Sequence, residues 1–372
     1  MGAVADHADP LTRPWAANAG AARWTAAAAG EPGVAAFHRS IPGYRPTPLV
    51  ALPALAAALG VRSLAVKDES DRFGLPAFKA LGVSWAVNGA MNAHLGHPPA
   101  GTFTELVDRV RGSGLTLVTA TDGNHGRALA RFARLLGAAA RVHVPAGLDD
   151  AALAAIAGEG ATVVDTGGVY DDAVRDAAAS TGGRPGDLLV QDSAWPGYEQ
   201  VPGWVVQGYS TLFTEVDEQC RERPGLVVVP TGVGSLLQAA IVHHRAPGRD
   251  HRPAVLAVEP TTAACVTRSL RAGAPVTVDT AAPTVMAGLN CGTVSSTAWP
   301  VVRGGLDAAI GVTDEEARTA MADLHAAGVA AGPCGAAALA GVRAAAGVAE
   351  LAPLRGPDVD VLLVSTEAQV PR

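Results

Sequence analysis

From about residue 60 onward, short apolar runs alternate with stretches whose apolar residues recur at helical spacing. The runs Leu64 to Lys67, Leu115 to Ala120, Arg141 to Pro145, Thr162 to Asp165, Leu188 to Asp192, Leu226 to Pro230, Val255 to Glu259 and Val359 to Thr366 read as strands. Each has the length of about four to eight residues that a buried strand needs, and turn-forming residues bound it. Between them, Gly126 to Gly137 and Tyr170 to Thr181 carry the helical period, and Thr313-Asp-Glu-Glu316 is a capping box that opens a helix to about Ala326. Strands in alternation with helices predict an α/β fold whose parallel sheets are covered on both faces by helices. The pattern does not set the strand order. No internal repeat is visible, and Ala-rich stretches such as Ala151 to Ala157 are ordinary helix formers.

In such sheets a ligand lies beyond the carboxyl ends of the strands, where loops lead into helix starts. Four polar or glycine-rich loops hold that position: Asp68 to Ala77, Thr121 to His125, Asp192 to Tyr198 and Thr231 to Ser235. They are expected to share one pocket. Thr231-Gly-Val-Gly-Ser235 follows an apolar strand and precedes the helical run Leu236 to His243, so its glycines and the N–H groups behind them suit an anion such as phosphate. A purely structural turn fits this stretch equally well, and it is neither GxGxxG nor a loop ending in Gly-Lys-Ser/Thr, which lowers the dinucleotide and ATP readings. Asp122 and Asn124 fit a turn and helix cap or ligand groups, and His125 fits a residue that satisfies local backbone. Asp192 either caps a turn or handles an amine, because a buried carboxylate needs a cationic partner.

Composition sharpens this. The chain has two lysines, Lys67 and Lys79, among its 28 Lys and Arg residues, and both fall in the segment Lys67-Asp-Glu-Ser-Asp-Arg-Phe-Gly-Leu-Pro-Ala-Phe-Lys79. A primary amine can lose its proton when desolvated and condense with a carbonyl; a guanidinium cannot. With 49% hydrophobic residues but 4% aromatics, the core must be Ala, Val and Leu, as in a helix-and-sheet enzyme. The net charge of -7 and the absence of a basic run argue against a nucleic-acid partner. The N-terminus has no cationic start followed by an apolar core, and Asp6 stands where a myristoylation signal needs Ser or Thr. The uncharged stretches Gly225 to Val242 and Thr280 to Val302 are broken by Pro and Gly, so they do not read as membrane spans. A soluble, cytoplasmic protein is expected. Cys220, Cys265, Cys291 and Cys334 have no metal-ligand spacing; free thiols are the expectation, with a Cys265–Cys291 pair as the alternative. The first 35 or so residues fit a helical extension and a disordered one equally.

These motifs carry a family resemblance. The segment Lys67-Asp-Glu-Ser70 through Arg72-Phe-Gly-Leu-Pro-Ala-Phe-Lys79 is similar to the cofactor-lysine motif of pyridoxal-phosphate enzymes of the tryptophan-synthase-β type, and within them of the diaminopropionate ammonia-lyases. Ala120-Thr-Asp-Gly-Asn-His-Gly126, Gln191-Asp-Ser-Ala-Trp-Pro-Gly-Tyr198 with its continuation to Tyr209, and Met286-Ala-Gly-Leu-Asn-Cys-Gly292 resemble that family in order and spacing. With Pro46-Thr-Pro-Leu49 and Ser365-Thr-Glu367, the match extends over most of the chain beyond residue 35.

The resemblance implies two parallel-sheet domains, residues 1–88 with 224–372 and residues 89–223, with the cofactor in the cleft between them, and a homodimer. It implies that Lys79, preceded by Phe78, holds pyridoxal 5'-phosphate covalently and that Thr231, Gly232, Val233, Gly234 and Ser235 bind its phosphate. Asn124 would contact the phenolic oxygen of the ring, and Ser365 or Thr366 the pyridine nitrogen. The implied reaction is α,β-elimination of 2,3-diaminopropionate to pyruvate and two ammonia. Lys79 and Asp122 would act as bases on opposite faces, which accommodates both enantiomers, and Asp192 would recognise the substrate amine. Lys67 is then structural or electrostatic. The chain departs from the family pattern at Thr231, where a small residue is expected, at Gly82-Val83 in place of a Gly pair, and at Gly332-Pro-Cys-Gly335. A serine or threonine dehydratase would instead show Ser-Phe-Lys-x-Arg and a four-glycine loop; a β-replacement synthase is disfavoured by Asp122, and a non-catalytic cofactor-binding protein by the set Lys79, Asp122 and Asp192.

Overall fold

The apolar runs pair into two sheets. The computed structural model describes residues 13–27, 31–121 and 123–369. Among them the strands in chain order are β1 (Trp15–Ala17), β2 (Leu49–Ala51), β3 (Ser63–Asp68), β4 (Thr116–Ala120), β5 (Ala139–Val144), β6 (Thr162–Asp165), β7 (Asp187–Leu189), β8 (Leu226–Pro230), β9 (Ala254–Pro260), β10 (Ala308–Val312) and β11 (Asp360–Ser365). A seven-stranded sheet has the order β1-β10-β9-β8-β11-β3-β2, and a four-stranded sheet the order β6-β5-β4-β7. The smaller sheet is parallel throughout. In the larger one the parallel centre is flanked by two antiparallel edges, β1 on β10 and β2 on β3.

Strands β8 and β11 are buried along their full length, as expected of a parallel sheet covered on both faces. Their side chains join one of two large clusters built mainly from Ala, Val and Leu. The predicted strands Thr162–Asp165 and Leu226–Pro230 form with those bounds, and the helix Tyr170–Thr181 does too. The capping box also forms: Thr313 Oγ1 accepts from the Glu316 N–H at 3.2 Å, the Thr313 N–H donates to Glu316 Oε2 at 2.8 Å, and the helix runs Asp314–Ala326.

Other readings need correction, and the strands read as Leu64 to Lys67, Leu115 to Ala120, Arg141 to Pro145 and Val255 to Glu259 form with ends shifted by one or two residues. The strand expected over Leu188 to Asp192 ends at Leu189, because the Gln191 side chain takes over the edge: its Oε1 accepts from the Ala120 N–H at 3.0 Å. The helix placed at Gly126 to Gly137 begins two residues earlier, at Asn124. The strand read as Val359 to Thr366 is Asp360–Ser365. The N-terminal segment left unassigned contributes β1, with Trp15 opposite Ile310.

The helices Lys79–His94 and Gln200–Gln219 pack against each other through glycines. A Cβ on Gly208 would lie 2.4 Å from the Leu81 carbonyl oxygen, and one on Gly82 would lie 2.5 Å from Tyr209 Cε1. Only a hydrogen at those positions permits the backbones to come so close. Residues Ala80 to Asn92 of the first helix are buried on every side, which accounts for its lack of a polar face. No helix among the described residues is long and apolar enough to cross a membrane.

Candidate active site

Lys79 is the first residue of its helix, and the backbone before it is fastened to the end of β11. The Phe78 N–H donates to the Thr366 carbonyl at 3.1 Å, Ala77 bridges Glu367, and the Ala368 N–H donates to the Pro76 carbonyl at 2.8 Å. This pairing brings a residue that follows β3 beside Ser365 and Thr366. The Lys79 ammonium donates to Asp192 Oδ2 at 2.6 Å and lies 5.7 Å from the centre of the Phe78 ring.

Asp192 follows β7 on the smaller sheet. Gln191 anchors this turn: it accepts from Thr119 Oγ1 at 2.9 Å, donates to Tyr170 OH at 2.9 Å, and its N–H donates to Tyr198 OH at 2.9 Å. Burial opposes the charge on Asp192, but the Lys79 ammonium and His125 beside it outweigh that and hold the carboxyl well below the usual carboxylate range. The site therefore keeps a carboxylate facing a lysine. His125 is oriented by its Nε2, 2.8 Å from the Val190 carbonyl. Its Nδ1 lies 3.7 Å from Asp192 Oδ2. The residue read as a local backbone group thus also faces the carboxylate.

Thr121-Asp-Gly-Asn124 leaves β4 and opens the helix Asn124–Leu136. Thr121 Oγ1 accepts from the N–H groups of Gly123 and Gly126 at 2.9 and 3.1 Å and so sets the turn. Asp122 lies outside the described residues. Asn124 Nδ2 donates to Glu367 Oε2 at 2.9 Å, which joins the turn after β4 to the end of β11. The sequence assigned no role to Glu367; its only signal was an acid directly after Ser365-Thr366.

The loop Thr231 to Ser235 leaves β8 and enters the helix Ser235–His244. The threonine that departs from the family pattern turns its hydroxyl back to the Val229 carbonyl at 2.8 Å. Gly234 has φ of 97°, a left-handed conformation that favours glycine. The segment after Met286 covers this loop: a Cβ on Gly232 would lie 2.9 Å from Cys291 Sγ, and the Ser295 N–H donates to the Val233 carbonyl at 2.8 Å. Ser235 Oγ donates to the Asp192 carbonyl at 3.3 Å and links the loop to the acidic turn. Cys265 and Cys291 are held as thiols.

Lys67 is placed differently. It is fully buried and donates to the Thr47 carbonyl at 2.8 Å, Glu215 Oε2 at 2.6 Å and Gln219 Oε1 at 2.8 Å. Arg72 joins the same cluster through Glu215 and Glu69, both at 2.6 Å. Burial works against the Glu215 charge, but Arg72 and Lys67 overcome it and bring the carboxyl down to about 2.

The residues fit a phosphorylated pyridine aldehyde. An amine at Lys79 and a glycine-bearing helix entrance at Thr231 to Ser235 stand with the end of β11, where two buried hydroxyls, Ser365 Oγ and Thr366 Oγ1, have no hydrogen-bond partner among the described residues. Buried hydroxyls are normally satisfied, so these two suit a group that the polypeptide does not supply.

The sequence pattern of the family described as pyridoxal-phosphate dependent enzyme matches residues 41–366. The chain belongs to this family. Its cofactor is pyridoxal phosphate, and its fold is that of the type II members. It is 40% identical over 275 residues to diaminopropionate ammonia-lyase of Escherichia coli K12, covering 72% of this chain and 68% of that enzyme. The crystal structure of the Escherichia coli enzyme in complex with D-serine superposes with a TM-score of 0.86 at 32% identity, covering 96% of this chain and 94% of the other. The processed form of threonine deaminase isoform 2 from Solanum lycopersicum superposes with a TM-score of 0.72 at 21% identity, covering 93% of each chain; that likeness shows the fold alone.

Proposed function

We propose that this chain is a carbon–nitrogen lyase that converts 2,3-diaminopropionate and water to pyruvate and two ammonia. The observation that carries the reading is the Lys79 amine 2.6 Å from Asp192, in a chain 40% identical to a diaminopropionate ammonia-lyase. When bound, pyridoxal phosphate supplies the electron sink for the charge left at Cα.

The chain's own residues do the rest. Lys79 would hold the cofactor and, with its amine free, would be the base that takes the Cα proton on its own face. Asp192, already ionised beside an ammonium, holds the substrate's amine in the place the Lys79 amine vacates. Asp122 serves as base on the opposite face, so that both enantiomers are substrates. Asn124 and Ser365 or Thr366 orient the ring, with Phe78 beneath the lysine, and the N–H groups of Gly232, Val233, Gly234 and Ser235 hold the phosphate; Thr231, expected to share in this, gives its N–H to the Val258 carbonyl at 2.8 Å and its hydroxyl to the Val229 carbonyl at 2.8 Å, and so shapes the loop instead.

Residues 1–88 with 224–372 then form the larger domain and 89–223 the smaller, a division supported by the membership of the two sheets. A homodimer working in the cytoplasm on a free amino acid, with no nucleic-acid or membrane partner, completes the reading; the net charge of -7 supports the absence of a nucleic-acid partner. Purified protein given D- and L-2,3-diaminopropionate beside serine and threonine should release pyruvate and ammonia fastest from diaminopropionate. Faster turnover of serine or threonine would replace this reading with a dehydratase.

A further inference from the structure

The chain has four tyrosines. Tyr44 OH donates to Glu215 Oε1 at 2.8 Å, Tyr170 OH accepts from Gln191 Nε2 at 2.9 Å, and Tyr198 OH donates to the Leu189 carbonyl at 2.9 Å. Tyr209 is as buried as the core phenylalanines, at 1% exposure, yet its hydroxyl has no hydrogen-bond partner among the described residues. Burying a hydroxyl without a partner sacrifices its hydration for nothing, and phenylalanine would fill the same space without that loss. This chain does use phenylalanine for such packing, at Phe37, Phe132 and Phe213.

The place of the hydroxyl supplies the reason. The Tyr209 ring is 4.7 Å from the Phe78 ring, centre to centre, and Phe78 in turn lies under the Lys79 ammonium at 5.7 Å. Its Cε1–Cζ edge rests on Gly82, one helical turn beyond Lys79, where a Cβ would approach Cζ to 2.7 Å. The hydroxyl is carried on that same Cζ. Burial pushes the phenol well above its ordinary range; Lys79 pulls it down and Asp192 raises it, so both charged groups of the site are near enough to be felt. It is a neutral donor beside the attachment lysine.

We propose that the Tyr209 hydroxyl hydrogen-bonds to pyridoxal phosphate carried at Lys79, which makes Tyr209 a cofactor-binding residue. The proposal rests on Lys79 being the attachment site. It also explains why Gly82 cannot carry a side chain: the tyrosine edge occupies that space.

Tyr209→Phe separates this from packing. In cofactor-free protein the variant should melt at the same temperature as the parent or about 1–3 °C higher, because an unsatisfied hydroxyl has gone. Its Kd for pyridoxal phosphate, from a visible-absorbance titration, should rise about 3- to 10-fold. A Kd within twofold of the parent overturns the proposal, as does a lower melting temperature of the cofactor-free variant, which would reveal an internal partner. A raised KM for substrate at unchanged cofactor Kd overturns it too and assigns the hydroxyl to the substrate. Parent protein that binds no pyridoxal phosphate, or a Lys79→Ala protein that keeps the covalent absorbance, defeats the underlying reading instead.

Discussion

Lys67 and Lys79 belong to one segment, and each meets a carboxylate at 2.6 Å. Their surroundings divide them. The Lys67 side chain is 0% exposed and meets three acceptors, one for each ammonium hydrogen, while its carboxylate partner is shared with Arg72. Such an amine has no lone pair to offer and no path to a ligand. The Lys79 side chain is 27% exposed, and its partner Asp192 leaves a turn that is tied to Ser235 in the glycine loop after β8. One charge pair is sealed inside the protein, and the other is partly open to solvent. A short distance between lysine and carboxylate does not by itself mark a functional amine; access and the other partners decide which pair does.

Lys79→Ala should give the largest functional effect. Turnover should fall by at least the ~10²–10⁴-fold that general acid–base help alone contributes, with the covalent cofactor absorbance lost; the melting temperature should fall as well, because Asp192 keeps only His125 beside it. A variant that still shows that absorbance would reverse the roles of the two lysines. Lys67→Met should do the opposite. It leaves Glu215 buried with one cation fewer, a loss of about 3–5 kcal/mol in a denaturant titration, while the surviving folded fraction keeps the cofactor absorbance. If Lys67→Met folds as stably as the parent, the buried cluster does not hold the loop from Glu69 to Phe78 in place.

How much of this was legible in the sequence depends on the distance between partners. The strand Leu226–Pro230 and the helix Tyr170–Thr181 are bounded by local signals, and both were read with their observed limits. β1 and β2 are three-residue edges, and β10 is built from Ala308-Ala-Ile-Gly-Val312, which has weak strand preference; none has a pattern to betray it. In the site, the lysine, the acidic turn and the glycine loop stood out because each is compact in sequence. Glu367 and Asn124 are 243 positions apart, Lys67 and Glu215 are 148 apart, and Gln191 acts by holding Thr119, Ala120 and Tyr170. Those contacts exist only once the sheets are assembled.

The helix Gln200–Gln219 is what makes the two lysines one problem. It carries Glu215, which holds Lys67, and also Gly208 and Tyr209, which lie against the turn after Lys79. A methyl group on Gly208 would stand 2.4 Å from the Leu81 carbonyl oxygen, a backbone atom that cannot turn aside, so the helices must part. Gly208→Ala should cost about 1–3 kcal/mol, the usual penalty of overpacking, and should weaken cofactor binding along with stability. Lys67→Met should move stability alone and Lys79→Ala chiefly chemistry; Gly208→Ala should move both, by less. If it lowers stability and leaves the cofactor Kd at the parent value, the spacing of the two helices is a packing matter, and the position of Lys79 is set by the strand-end pairing of Ala77 and Phe78 with Glu367 and Thr366.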